Sequence, residues 1–284
     1  MASLLSGARS PVVGESSLRL PDYVDEILAS GFPGIRALTA RAQRAQLDGY
    51  LARVVDRDFP EQGQSVRRPA TLRAWLTAYA AATATTTTYS KIIRAAAPAE
   101  GEHPARTTSI AYREVLSRLW LLDPLPGWTP SRNVFNRIQQ VPKHHLADPA
   151  LAARLLGATT ASLLDGLQGE FTPRDGTLLG SLFESLAALT VRVTAQLAEA
   201  TTFHLRTSNG DHEVDFIVER DDHKVAAFEV KLGRTLTDRD VAHLHWLSSR
   251  IGQDLLDAVV LTTGTDAYRR QDGIAVVPLA LLGA

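Results

Sequence analysis

The chain has 284 residues, enough for two modest domains, with 45% hydrophobic and 21% charged residues, the balance of a globular rather than a disordered protein. It contains no cysteine, which excludes disulfides, thiolate zinc sites and cysteine nucleophiles. The formal net charge of −1 hides an asymmetry. Residues 1–150 carry 18 Lys and Arg against 13 Asp and Glu, a formal +5, and residues 151–284 carry 12 against 18, a formal −6. A basic first half beside an acidic second half suits a polyanion-binding module joined to a metal-binding one, and unrelated surface drift is the alternative.

In chain order, residues 1–20 are rich in Ser, Gly and Pro and read as irregular. A short helix is expected over Pro21–Ala29, ended by Gly31-Phe32-Pro33-Gly34. A longer one follows from about Thr39 to Asp58, with an apolar stripe through Leu47, Leu51 and Val55. Pro60 to Pro69 reads as a linker, giving a helical first segment over 1–62. Helices are then expected over Thr71–Thr83, Thr88–Ala96 (capped by Thr88) and Thr108–Leu121, with Ala97–Pro104 a loop. Leu122 to Trp128 reads as strand, turn and strand. Three helices and a hairpin are the layout of a winged helix, placed at 63–145. From Gln64 to Lys143 there are 11 Lys and Arg against 4 Asp and Glu. Arg106, Arg113 and Arg118 are therefore the candidates for nucleic-acid phosphates, with solvated arginines on a packing module as the alternative.

The last part, 146–284, opens on a helix over Pro149–Leu156 and a longer one over Leu178–Glu199 carrying Glu184. Strands are expected over Thr202–Thr207, Glu213–Glu219, Phe228–Lys231, Ala258–Leu261 and Ile274–Val277, with a helix over Asp238–Ile251 between the third and fourth. Strand alternation puts Glu213, Asp215, Ile217 and Glu219 on one face, and Glu229 and Lys231 on one face of the next strand. In a hairpin symmetric about Asp222, Asp215 opposes Glu229 and Glu213 opposes Lys231. Opposed carboxylates destabilise a bare sheet, and a divalent cation between them converts that penalty into a binding site. Glu213 is a supporting residue that can pair with Lys231. The sequences His144-His145 and His243-x-His245 do not share a helix face and read as ordinary histidines. No GxxxxGK[ST] sequence occurs, so ATP is not expected in this chain.

The order helix, three strands, helix, strand, with Asp215, Glu229-Val230-Lys231 and the preceding Glu184, resembles the PD-(D/E)XK nuclease superfamily. Val214 stands where that motif usually has Pro. The resemblance implies a mixed α/β fold: a helical segment and winged helix followed by a restriction-endonuclease-like domain. It implies Asp215, Glu229, Lys231 and Glu184 as catalytic, and Asp215 and Glu229 as ligands of Mg²⁺ or Mn²⁺ with the Val230 carbonyl beside them. A narrower resemblance rests on Gly31-Phe32-Pro33, Pro142-Lys143-His144-His145-Leu146-Ala147-Asp148 and Glu213-Val214-Asp215. These look like prokaryotic AAA-plus-like ATPases ending in a nuclease-like domain of unknown function, number 4143. The Walker-containing module of such proteins is missing here, except for a remnant in residues 1–60. The expectation is DNA cleavage, with an inactive DNA- or protein-binding scaffold as the alternative. DNA and a separate ATPase subunit are the expected partners. With no membrane segment and no signal pattern read in the chain, the expected location is the cytoplasm.

Overall fold

The computed structural model describes residues 1–63, 68–97, 105–131, 140–165 and 178–283. It is a mixed α/β protein whose chain forms two compact units, each assembled from separated stretches. A helical unit comprises Val24–Pro124 and Lys143–Ser185; a sheet unit comprises Met1–Tyr23, Leu125–Pro142 and Leu186–Ala284. This interleaving differs from the three consecutive segments, 1–62, 63–145 and 146–284, read from the sequence.

The helical unit contains the greater part of α1 (Leu20–Ala29), with α2 (Ala40–Arg53), α3 (Pro69–Ala81), α4 (Tyr89–Ala95), α5 (Arg106–Arg118), α6 (Pro149–Leu155) and α7 (Thr160–Asp165). After α2 the chain widens into a π-turn, Val54–Asp58, just ahead of Pro60. Proline cannot donate to the carbonyl four residues back, so a local widening accommodates it where the sequence alone suggested one continuous helix. Trp75 and Tyr79, one turn apart on α3, are fully buried and stacked, and the Trp75 indole N–H donates to Ser109 Oγ on α5 at 2.9 Å. Thr88 stands at the N-cap position of α4, but its side chain makes no capping bond.

The hairpin expected over Leu122–Trp128 does not form. Leu122 instead bridges Leu146 in antiparallel fashion, with Asp123 N–H donating to the His145 carbonyl and Ala147 N–H to that of Leu121. On its other side the same returning segment meets the α3–α4 connection: Ala84 N–H donates to the His144 carbonyl, and His144 N–H to that of Thr85. Gly127 and Trp128 lie in the sheet unit. Local sequence could not show this, because the true partner of Leu122 is supplied after a long excursion.

One carboxylate ties two segments of the helical unit together. Asp148 caps α6 by accepting from Ala150 N–H at 2.8 Å, and its other oxygen accepts from Ser30 Oγ and Gly31 N–H, each at 2.7 Å. Ser30 is held at φ +67, a region that a residue with a Cβ enters only when its surroundings enforce it. Both histidines of the His144-His145 pair are buried. His144 Nε2 lies 2.7 Å from the Thr87 carbonyl, and Tyr79 and Tyr89 present ring edges to it.

The sheet unit holds an eight-stranded mixed sheet: β1 (Gly14–Glu15), β2 (Gly127–Trp128), β3 (Thr201–Arg206), β4 (Glu213–Glu219), β5 (Val225–Lys231), β6 (Leu255–Thr262), β7 (Asp266–Arg269) and β8 (Ala275–Pro278). Their spatial order is β1-β7-β8-β6-β5-β4-β3-β2. β3, β4 and β5 run as an antiparallel meander, whereas β5, β6 and β8 are parallel. A parallel pair needs a crossover, and α9 (Ala242–Ile251), preceded by a 3-10 turn capped by Thr237 and Asp240, supplies it between β5 and β6. On the α9 side, Ile217, Ala227 and Val260 pack with Leu244 and Leu247 in one buried cluster. The first residues, expected to be irregular, contribute β1, whose partner β7 lies some 250 positions away in sequence.

The boundary between the units falls inside α8 (Leu178–Leu197). By length and composition this 20-residue helix, with a mean hydropathy of 1.3 over its most apolar stretch, is long and apolar enough to cross a bilayer. The sequence reading of no such run therefore needs correcting. Half of that stretch is buried inside the fold, the condition of a core helix.

In β6 the buried Asp257 receives both Nη atoms of Arg269, at 2.8 and 3.0 Å. Removing one partner of such a pair leaves an uncompensated buried charge, so Asp257→Ala is expected to lower unfolding free energy by about 3–5 kcal/mol. For Asp148→Ala the expected loss is about 3 kcal/mol, with a smaller loss for Asp148→Asn, which keeps one acceptor. Urea denaturation followed by circular dichroism measures both. Losses within experimental error would show that neither carboxylate holds its segments.

Candidate functional site

The paired register of β4 and β5 runs from Glu219↔Val225 to Phe216↔Phe228, that of a hairpin symmetric about Asp222. The turn is closed by Arg220 N–H to the Lys224 carbonyl, with His223 at φ +64. Asp215 and Glu229 are the next residues outward, just beyond the last ladder pair. There a side chain takes a backbone donor: Asp215 Oδ2 accepts from Val230 N–H at 2.9 Å. Glu229 is almost fully buried, and its Oε2 lies 3.1 Å from Lys231 Nζ.

The two carboxylates act on one ammonium. Burial pulls the Lys231 pKa down, but Glu229 and Asp215 together outweigh it, with Asp240 adding to them, and hold the group above its ordinary 10.5. Lys231 is therefore a cation throughout the neutral range, a donor and a charge rather than a proton acceptor.

Glu213 ion-pairs with Arg206 on β3 at 2.6 Å, and Lys231 pairs with Glu229 instead of the expected Glu213. Glu184 on α8 is held within the helical unit by Lys143, at 2.8 Å. Lys143 is a fully buried lysine whose charge requires such a partner. Among the described residues, no group of three or more His, Cys, Asp or Glu side chains is arranged to hold a metal ion. Asp215 and Glu229 nevertheless offer carboxylate oxygens next to one another in the strand pair. Mg²⁺ commonly takes one or two carboxylates and completes its shell with water and substrate phosphate. The residues fit a hard divalent cation on that chemistry.

Residues around this cluster escaped the sequence reading. His243, near the start of α9, meets not His245 but His212 from the β3–β4 connection, Nδ1 to Nδ1 at 3.4 Å. His212 stacks on Trp246 with ring centroids 4.1 Å apart, while His245 turns to Asp272. Burial, then His212 and Lys231, push the His243 pKa below 6.5, and Asp215 and Glu213 oppose them. The missed signal was the position of His212 directly ahead of the acidic strand; helix spacing tests partners only within one helix.

On α5, Arg106 and Arg118 are exposed, and the Arg113 guanidinium lies over the Tyr89 ring, 4.7 Å from its centroid. Arg106 and Arg113 line a small cavity with Tyr89, Ser90 and Ser109. At ~100° per residue Arg113 falls within about 20° of Arg106, and Arg118 about 140° from Arg113. The three arginines do not form one row.

A sequence model of the domain of unknown function DUF8612 matches residues 20–162, and one of the domain of unknown function DUF4143 matches residues 179–282. Among curated proteins, the uncharacterized protein Rv2008c of Mycobacterium tuberculosis (strain ATCC 25618 / H37Rv) is 26% identical over 247 residues, covering 87% of this chain and 50% of the relative. The uncharacterized protein Mb2031c of Mycobacterium bovis (strain ATCC BAA-935 / AF2122/97) matches with the same figures. The chain spans about half the length of the curated relatives it matches. No solved structure matches it.

The charges around His243 predict its titration in metal-free buffer. Because its folded pKa is depressed, the stability it contributes is complete above pH 6.5 and is lost as pH falls below that value. Asp215→Asn, which removes a carboxylate that raises the pKa, is expected to lower the His243 midpoint further, and Lys231→Ala to raise it. Proton NMR of the imidazole Cε1–H reads both shifts. Movement in the opposite directions would place His243 away from the Asp215–Lys231 pair.

Proposed function

This chain belongs to the family of the domain of unknown function DUF8612, with a DUF4143 region after it, and from the geometry of the β4–β5 pair we propose that it is a divalent-metal-dependent nuclease acting on DNA. The observation that carries this reading is the Glu229–Lys231 ion pair, with Asp215 bonded to the intervening Val230 N–H, at the open end of the β4–β5 pair. The order α8, β3, β4, β5, α9, β6, an antiparallel meander with one parallel crossover, supports a PD-(D/E)XK-like domain around it.

Asp215, Glu229 and the Val230 carbonyl would hold Mg²⁺ or Mn²⁺, which supplies charge neutralisation at the phosphate and a water of lowered pKa. Lys231, protonated at neutral pH, donates hydrogen bonds to a phosphate oxygen or the attacking water and offsets the negative charge that builds up there. Asp215 fixes the backbone at Val230, and so the direction of the neighbouring Glu229 and Lys231 side chains. His243, with its lowered pKa, is neutral at pH 7 and can exchange a proton through His212.

In the helical unit, α3, α4 and α5 with the backbone bonds joining Ala84-Thr85, Leu121-Asp123 and His144-Ala147 support a winged-helix reading in which α5 faces DNA. Arg106 and Arg118 are its exposed phosphate contacts, and Arg113 is partly committed to Tyr89. A separate AAA-like ATPase subunit is the partner this reading assigns.

The test is nicking of supercoiled plasmid in Mg²⁺ or Mn²⁺. Asp215→Asn and Lys231→Ala are each expected to reduce cleavage about 100-fold or more while leaving the circular dichroism spectrum unchanged. Cleavage that survives both substitutions rejects this site. Absence of any metal-dependent cleavage, with duplex still shifted in a gel, would make the chain a DNA-binding scaffold.

A further inference from the structure

Within the sheet unit, a cavity of about 380 Å³ is lined by residues of β2, β3 and α9. Two indoles, Trp128 and Trp246, and two guanidiniums, Arg206 and Arg250, line it together with Gln140 and Thr207. Trp128 is almost fully buried and forms the inner wall, whereas Arg206 and Arg250 are exposed at the surface. Trp246 is fixed by the parallel His212 ring, and the Arg250 guanidinium stands 5.8 Å from the Trp246 ring centroid. Gly127 is required here, because a Cβ at that position would collide with the Gln140 side chain.

The cavity is coupled to the cluster by two short routes. Arg206 ion-pairs with Glu213, two residues before Asp215 on β4. Trp246 stacks on His212, which meets His243, and His243 senses Asp215 and Lys231. Flat aromatic walls and cationic planar groups at the entrance select a flat heteroaromatic ring attached to an anion. Among the described residues lining it, the charged ones are Arg206 and Arg250.

We propose that this cavity binds the base of a nucleotide in the substrate strand, taken out of its stack, so that the strand is unpaired beside the phosphodiester presented to Asp215 and Lys231. The placement of that phosphodiester rests on the nuclease reading above; the binding of an unpaired base does not. The ligand class is therefore a single-stranded or locally opened polynucleotide, and fully paired duplex is the poorer ligand for this site.

Binding is measured without cleavage, in EDTA and in an Asp215→Asn background, so that absence of nuclease activity leaves the result interpretable. Short oligodeoxythymidine is the single-strand probe and a duplex of the same length is the comparison. The chain has four tryptophans; Trp120→Phe removes the exposed indole of the helical unit from the fluorescence signal. The single strand is expected to quench the remaining emission, and Arg250→Glu, an exposed position whose change leaves the core intact, to raise its Kd about tenfold or more. Trp246→Leu is expected to raise it by a similar factor. Duplex affinity should change little in either variant and should fall in Arg118→Glu. An unchanged single-strand Kd in Arg250→Glu and Trp246→Leu overturns the proposal, and so does equal loss for single strand and duplex.

Discussion

The parallel pairing of β5 with β6 is the constraint from which the sheet unit follows. A parallel neighbour cannot be reached by a tight turn, so the chain must leave the sheet, build α9 across it and return. That crossover covers one face of the sheet and buries Val225 and Ala227 of β5 with Leu244 and Leu247 of α9. Burying each large aliphatic side chain contributes about 1.5–3 kcal/mol. The same crossover brings Asp240 and His243 to the cluster, at the end of β5 where Lys231 stands.

Because β5 is apolar up to Phe228 and charged from Glu229 onward, the sheet changes character within one residue. Glu229, buried among such neighbours, would be costly without a counter-charge, and Lys231 two positions on supplies it from the same face. Asp215, by taking Val230 N–H, satisfies a backbone donor just beyond the last ladder pair of β4 and β5. A stable arrangement of like charges thus exists before any ligand arrives. This preorganisation is the physical argument for function at this place rather than elsewhere on the sheet.

Much of this was legible in the sequence because it depends on near neighbours. Strand alternation and a charged five-residue turn were enough to place a hairpin symmetric about Asp222, and apolar periodicity located α3, α5, α8 and α9 within a few residues. What escaped depends on distant partners. Leu122 pairs with Leu146 after an excursion that no local pattern announces. β1 pairs with β7 from the opposite end of the chain. Glu213 chose Arg206 on β3 over Lys231 on β5, a competition between two adjacent strands that alternation cannot decide. His243 found His212 across a gap of 31 residues, where helical spacing gives no information.

The alternation of the chain between its two units has a genetic consequence. Residues 24–124 belong to the helical unit, 125–142 to the sheet unit, 143–185 to the helical unit again and 186–284 to the sheet unit. No single break point therefore releases either as a continuous cassette. A single cut anywhere between residues 24 and 185 leaves parts of at least one unit on both sides of it.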